Sequence, residues 1–104
     1  MRALKPNCQN LILLCTNERP PGAEKASCGH HGSPALRAWL KTRLKQEGLW
    51  GEQVRVVPTG CLDVCPAQGA VLSMDGGRSL TLVDCEADRE EIVARIRTQV
   101  DETR

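Results

Sequence analysis

The chain has no phenylalanine and no tyrosine, and its only aromatic residues are Trp39 and Trp50, so any core it forms is built from aliphatic side chains. No apolar run approaches the roughly 20 residues that span a bilayer. The stretch from Met1 to Asn10 lacks the long apolar segment and small-residue cleavage site of a secretory leader. These absences lead us to expect a cytoplasmic protein with no membrane partner. Strong charge imbalance is also missing: 14 Lys and Arg face 13 Asp and Glu, which argues against a nucleic-acid binder that works by neutralising phosphates. There is no internal repeat, low-complexity tract, phosphate-binding glycine loop or obvious acid–base pair, so nothing in the chain marks an enzyme. A length of 104 residues suits one domain covering residues 1–104.

What the chain does have is cysteine, six in all. Without a secretory leader the expected compartment is reducing, where clustered thiols point to metal binding or redox chemistry rather than to structural disulfides. Four of them, Cys15, Cys28, Cys61 and Cys65, are separated by 12, 32 and 3 residues and lie beside turn-forming residues rather than inside apolar runs. Four thiolates suit a soft metal centre, and iron–sulfur clusters are held in that way. A structural Zn²⁺ module is a competing reading, although only Cys61 and Cys65 have the short ligand spacing usual at zinc sites. A thiol–disulfide oxidoreductase is another, but it calls for Cys-x-x-Cys at a helix start, and Cys61-x-x-x-Cys65 has one residue too many, with Pro66 following. His30 and His31 invite a mixed Cys/His cluster, yet four cysteines already fill the ligand positions. Cys8 and Cys85 lie outside the pattern and are expected to pack as small hydrophobes.

Periodicity gives the order of elements. Gln9 to Leu14 ends in a four-residue aliphatic run and reads as a buried strand closed by Cys15. Residues 16–32 read as a long loop that returns Cys28, carrying Arg19 and Lys25 as possible charges beside it. Ser33-Pro34 reads as an N-cap followed by proline, after which Leu36, Trp39, Leu40 and Leu44 recur at helical spacing up to Gly48. The opposite face of this helix carries Arg37, Lys41, Arg43 and Lys45 and is expected to be solvated, with docking as the minor alternative. Val54 to Val57 forms a second strand stopped by Pro58, and strand–helix–strand order implies a right-handed parallel crossover. Ala70 to Met74 and Leu80 to Val83 flank Asp75-Gly76-Gly77 as an antiparallel hairpin. Asp88-x-x-Glu91 resembles a capping box and leads into a helix with Ile92, Val93, Ile96 and Val100 on one stripe. The expected fold is an α/β two-layer sandwich, β-α-β-β-β-α, with helices over a small mixed sheet.

Parallel strands end at the same sheet edge, the usual ligand-binding edge of open α/β sheets, so this topology brings Cys15 towards Cys61 and Cys65. The long loop returns there too, because it must reach the start of the first helix. Residues 1–57 carry nine basic and four acidic side chains and residues 58–104 five and nine, so the two halves differ in sign.

The stretches Cys15-Thr16-Asn17-Glu18-Arg19-Pro20-Pro21-Gly22, Ser27-Cys28-Gly29-x-x-Gly32-Ser33 and Gly60-Cys61-Leu62-x-x-Cys65 closely resemble the thioredoxin-like, or Shethna-type, [2Fe-2S] ferredoxins. The resemblance covers most of residues 9–97 in element order. It implies a thioredoxin-like fold and a one-electron carrier rather than a catalyst. It further implies a [2Fe-2S] cluster held by Cys15, Cys28, Cys61 and Cys65, redox proteins as partners, and a homodimer.

Overall fold

The computed structural model describes residues 1–17, 31–62 and 68–103. Six elements follow in the expected order: β1 (Asn10–Cys15), α1 (Ser33–Gln46), β2 (Val54–Thr59), β3 (Ala70–Ser73), β4 (Thr81–Val83) and α2 (Arg89–Glu102). The four strands form one mixed sheet in the order β2-β1-β3-β4. β1 and β2 run parallel with Asn10 opposite Val54 and Cys15 opposite Thr59, as the crossover requires. β3 runs antiparallel to both β1 and β4, so β4 points the same way as β1 and β2. Three strands therefore finish at one edge of the sheet.

The core is aliphatic. Ile12 and Leu14 of β1 and Val54 and Val56 of β2 are fully buried, and α1 lays Leu36, Leu40 and Leu44 into the same cluster. At about 1.5–3 kcal/mol per fully buried leucine, this one stripe dominates the docking of α1. α2 contributes Ile92, Val93, Ile96 and Val100, the stripe read from the sequence. Trp39 and Trp50 pack against the cluster from its margin. Each indole lies beneath two cations: Arg43 and Arg89 over Trp39, Arg37 and Lys41 over Trp50. Arg43 also pairs with Glu47 and bridges to Glu90 of α2, holding the carboxyl of Glu90 below its usual range. Much of the basic face of α1 is thus tied into the fold.

The helix ends differ from the sequence reading in an instructive way. The N-cap of α1 is Gly32, in the left-handed conformation at φ 96°, and Ser33 is the first helical residue. Glycine takes the position because serine is strained at that φ. Asp88 does precede α2, but its carboxylate accepts the amide of Asp84 at 2.7 Å instead of capping the helix, so the capping box does not form. The far end of α1 closes as a Schellman motif: Leu49 N–H donates to the carbonyl of Leu44 and Gly48 N–H to that of Lys45, with Gly48 at φ 73°.

Pro58 does not stop β2, which continues to Thr59. β2 is an edge strand, and proline is tolerated where its missing N–H faces away from the ladder. The outer side of that edge is already occupied. Val54 N–H donates to Leu49 O, Gly51 N–H to Val54 O, and Arg37 Nε–H to Val56 O at 3.2 Å. At the end of the sheet away from the strand C-termini, buried Asn10 donates to Gln53 O and Thr103 Oγ1, while Gln99 donates to Asn10 Oδ1 and Met74 O. This polar clamp ties α2 to β1, β2 and the β3–β4 connection.

Asp75 organises that connection. Its carboxylate accepts from Ser79 N–H, Ser79 Oγ–H and Ser73 Oγ–H, which lowers its pKa to about 2, the Ser79 hydroxyl being the largest cause. Gly76 and Gly77 both take the positive φ that the paired glycines led us to expect. A carboxyl whose folded pKa lies below its unfolded value of 3.8 stabilises the fold above pH 3.8, and that contribution disappears as pH falls from 3.8 towards 2. In urea unfolding between pH 5 and 2, the wild type should therefore lose more stability than Asp75→Asn. Equal pH slopes in the two proteins would refute this role.

Candidate cluster site

The edge where β1, β2 and β4 terminate collects the chemistry. Cys15 is the last residue of β1 and is buried at 2 % exposure, its backbone opposite Thr59 at the end of β2. Past this pair the chains remain joined: Thr16 N–H donates to Thr59 O at 3.0 Å. Cys61 follows two residues later and is exposed, with Leu62 beside it packed against the core. One thiol is therefore set inside the edge and the other at its rim. Cys28 and Cys65, with Arg19, Lys25, Gly29 and His30, lie outside the described residues. Among the described residues no three His, Cys, Asp or Glu side chains converge as a metal-binding group.

The start of α1 reaches the same edge. Arg37, at the start of its second turn, bonds the carbonyl of Val56, so the residues preceding it lie towards the end of β2. No acidic residue occupies the first turn of α1, so the helix does not neutralise the positive end of its own dipole. Two polar atoms here are buried without a hydrogen-bond partner among the described residues, Nε2 of His31 and Oγ of Ser33. Unpaired buried polar atoms, a helix N-terminus and thiols at one edge form a donor set suited to an anionic, sulfur-rich centre.

Cys85 adds a feature that spacing could not reveal. It lies two residues beyond β4, and because β4 runs parallel to β1, this thiol also sits at the collecting edge. A Cβ built on Gly32 would come within 3.5 Å of Cys85 Cβ, so Cys85 lines the start of α1. Burial, and then the charge of Asp84, push its thiol pKa up, which keeps it protonated at neutral pH. It remains a small apolar side chain, as does buried Cys8, which donates to Asn10 O.

No family model matches the chain, and no curated protein sequence does either. Solved structures do. The chain is similar to a thioredoxin-like [2Fe-2S] ferredoxin from Aquifex aeolicus, with 26% identity over 83% of this chain and 77% of that one and a TM-score of 0.67. A second, 1.5 Å crystal structure of the wild-type thioredoxin-like [2Fe-2S] ferredoxin from the same organism gives 24% identity, 86% and 87% coverage and a TM-score of 0.70. A cysteine-to-serine variant of the Aquifex protein matches with a TM-score of 0.66. At these identities the likeness establishes the fold, which is thioredoxin-like with a four-stranded mixed sheet and two helices.

Proposed function

We propose that the protein is a one-electron carrier holding a [2Fe-2S] cluster on Cys15, Cys28, Cys61 and Cys65. The observation that carries this reading is the placement of Cys15 and Cys61 at one edge of a parallel strand pair, within a fold shared with thioredoxin-like [2Fe-2S] ferredoxins. Such a cluster, when bound, takes up and releases single electrons. Buried Cys15 would anchor the centre against the core, while exposed Cys61 would leave one side open to a partner. Backbone N–H groups at the start of α1 favour negative charge and would offset the charge gained on reduction. A centre of this kind passes single electrons, so in this reading the protein serves as a carrier between redox proteins rather than as an enzyme.

No helix among the described residues is long and apolar enough to cross a membrane. Reduced thiols fit the cytoplasm, where we place the protein. A homodimer is consistent with the exposed leucines Leu11, Leu80 and Leu82. The decisive experiment is the visible spectrum of anaerobically purified protein with iron, sulfide and zinc analysis. Bands that bleach with dithionite, with about two iron and two sulfide per chain, are expected for the four-thiolate cluster. A colourless protein with zinc would make the site structural, and a colourless metal-free one would favour thiol–disulfide chemistry.

A further inference from the structure

Ser33 is fully buried, yet its hydroxyl has no hydrogen-bond partner among the described residues. It is not spent on capping, because Gly32 is the N-cap and no side chain caps α1. Leaving a buried hydroxyl unpaired costs about 1–3 kcal/mol, so the position calls for an acceptor. Its direction follows from its place in the helix. Cα–Cβ bonds tilt towards a helix N-terminus, which here is the cluster edge. Arg37, at the start of the second turn, reaches the carbonyl of Val56 with its side chain. Four residues earlier, at about 1.5 Å rise per residue, Ser33 lies roughly 6 Å nearer the start of α1. That is the direction in which β2 runs on from Val56 to Thr59 and Cys61. Gly32, packed on Cys85 beyond β4, fixes the other side of this turn.

We propose that the Ser33 hydroxyl donates a hydrogen bond to a sulfur of the bound cluster and raises its reduction potential. The inference rests on the cluster reading above and adds a residue to it. A donor aimed at sulfur stabilises the reduced centre more than the oxidised one, because reduction adds negative charge to the acceptor. His31, whose Nε2 is also buried and unpartnered, sits on the same turn but is only half-buried as a residue, which makes Ser33 the stronger of the two groups.

The test compares holoprotein of the wild type, Ser33→Ala and Ser33→Thr by spectroelectrochemical titration, with resonance Raman spectra in H₂O and D₂O. At the wild-type midpoint, the reduced-to-oxidised ratio of Ser33→Ala should fall about tenfold, which for a one-electron couple is a potential lower by about 59 mV. Ser33→Thr, which keeps a hydroxyl, should stay near the wild type. The D₂O sensitivity of the iron–sulfur modes should shrink in Ser33→Ala alone. An unchanged potential with unchanged isotope sensitivity overturns the proposal, whatever happens to the melting temperature. If Ser33→Ala assembles no cluster, Ser33→Gly, which also lacks the hydroxyl, is read in its place. Failure of the cluster reading itself is distinct, since wild-type protein would then contain no iron and sulfide.

Discussion

Cys15→Ser should yield a protein without the visible bands of the wild type, and Cys61→Ser should do the same, whereas Cys8→Ala and Cys85→Ala should keep them. The contrast follows from position and chemistry together. Cys15 and Cys61 end and follow parallel neighbours at one edge, whereas Cys8 precedes β1 at the opposite end of the sheet. Cys85 is at the right edge, but its raised pKa and burial keep it a neutral thiol. Alanine is the better replacement at the two buried bystanders, since serine would bury a hydroxyl. The effect on stability should be large as well. Free energies of metal binding coupled to folding reach about 10–16 kcal/mol in small structural zinc sites. Even a third of that, roughly 4 kcal/mol, lowers Tm by roughly 20 °C in a domain of this size. Differential scanning calorimetry on holoprotein and on Cys15→Ser would read it directly. Full iron and sulfide content in purified Cys15→Ser would remove Cys15 from the ligand set.

Among the described glycines, Gly69→Ala is expected to be the most damaging alanine substitution. Gly69 sits at φ 77°, and a Cβ there would lie 2.5 Å from the backbone oxygen of Val83 and 3.1 Å from Leu82 Cδ1. The left-handed conformation alone costs a non-glycine residue about 1–2 kcal/mol. The carbonyl cannot swing aside as a flexible side chain could, because Val83 is paired with Ala70 in the sheet. Either the start of β3 or the whole of β4 must move, and we expect a total loss of about 3 kcal/mol, the range in which core overpacking falls. Gly48→Ala provides the control, with a similar φ of 73° but nothing within 4 Å of the new Cβ. It should cost only about 1 kcal/mol. Equal losses for the two variants in urea melts would show that the close approach to Val83 carries no weight.

Most of the architecture was legible in the sequence because the signals were local and mutually consistent. The Leu36, Leu40, Leu44 stripe, the Gly48 terminator and the β-branched Val54–Val57 run each specify one element, and the crossover rule then orients two strands without further information. The sequence places β2 against β1, but nothing local says that β3 inserts beside β1 rather than beside β2. The edge position of Cys85 depends on that insertion, so it could be seen only in the folded chain. Pro58 misled for a related reason: whether proline ends a strand depends on which side of the sheet its nitrogen faces. Ser33 and Asp88 were read as caps from residue type, and in both cases a neighbour outcompeted the expected geometry. At the α1 terminus a left-handed glycine took the capping position, and ahead of α2 the Asp84 amide took the Asp88 carboxylate. Of the four thiols, Cys15 and Cys61 are found where the topology puts them, while Cys28 and Cys65 lie outside the described residues.

The occupied outer side of β2 has a consequence for the protein in a crowded cell. An uncovered edge strand offers a row of free amides and carbonyls on which another chain can build, the first step towards domain swapping or fibre growth. On β2, Leu49 and Gly51 consume both polar groups of Val54, Arg37 holds the carbonyl of Val56, and Pro58 has no amide to give. An incoming strand would find no continuous ladder there. This protection comes from the backbone and from a helix side chain rather than from the thiol edge, so it should persist in Cys15→Ser as in the wild type.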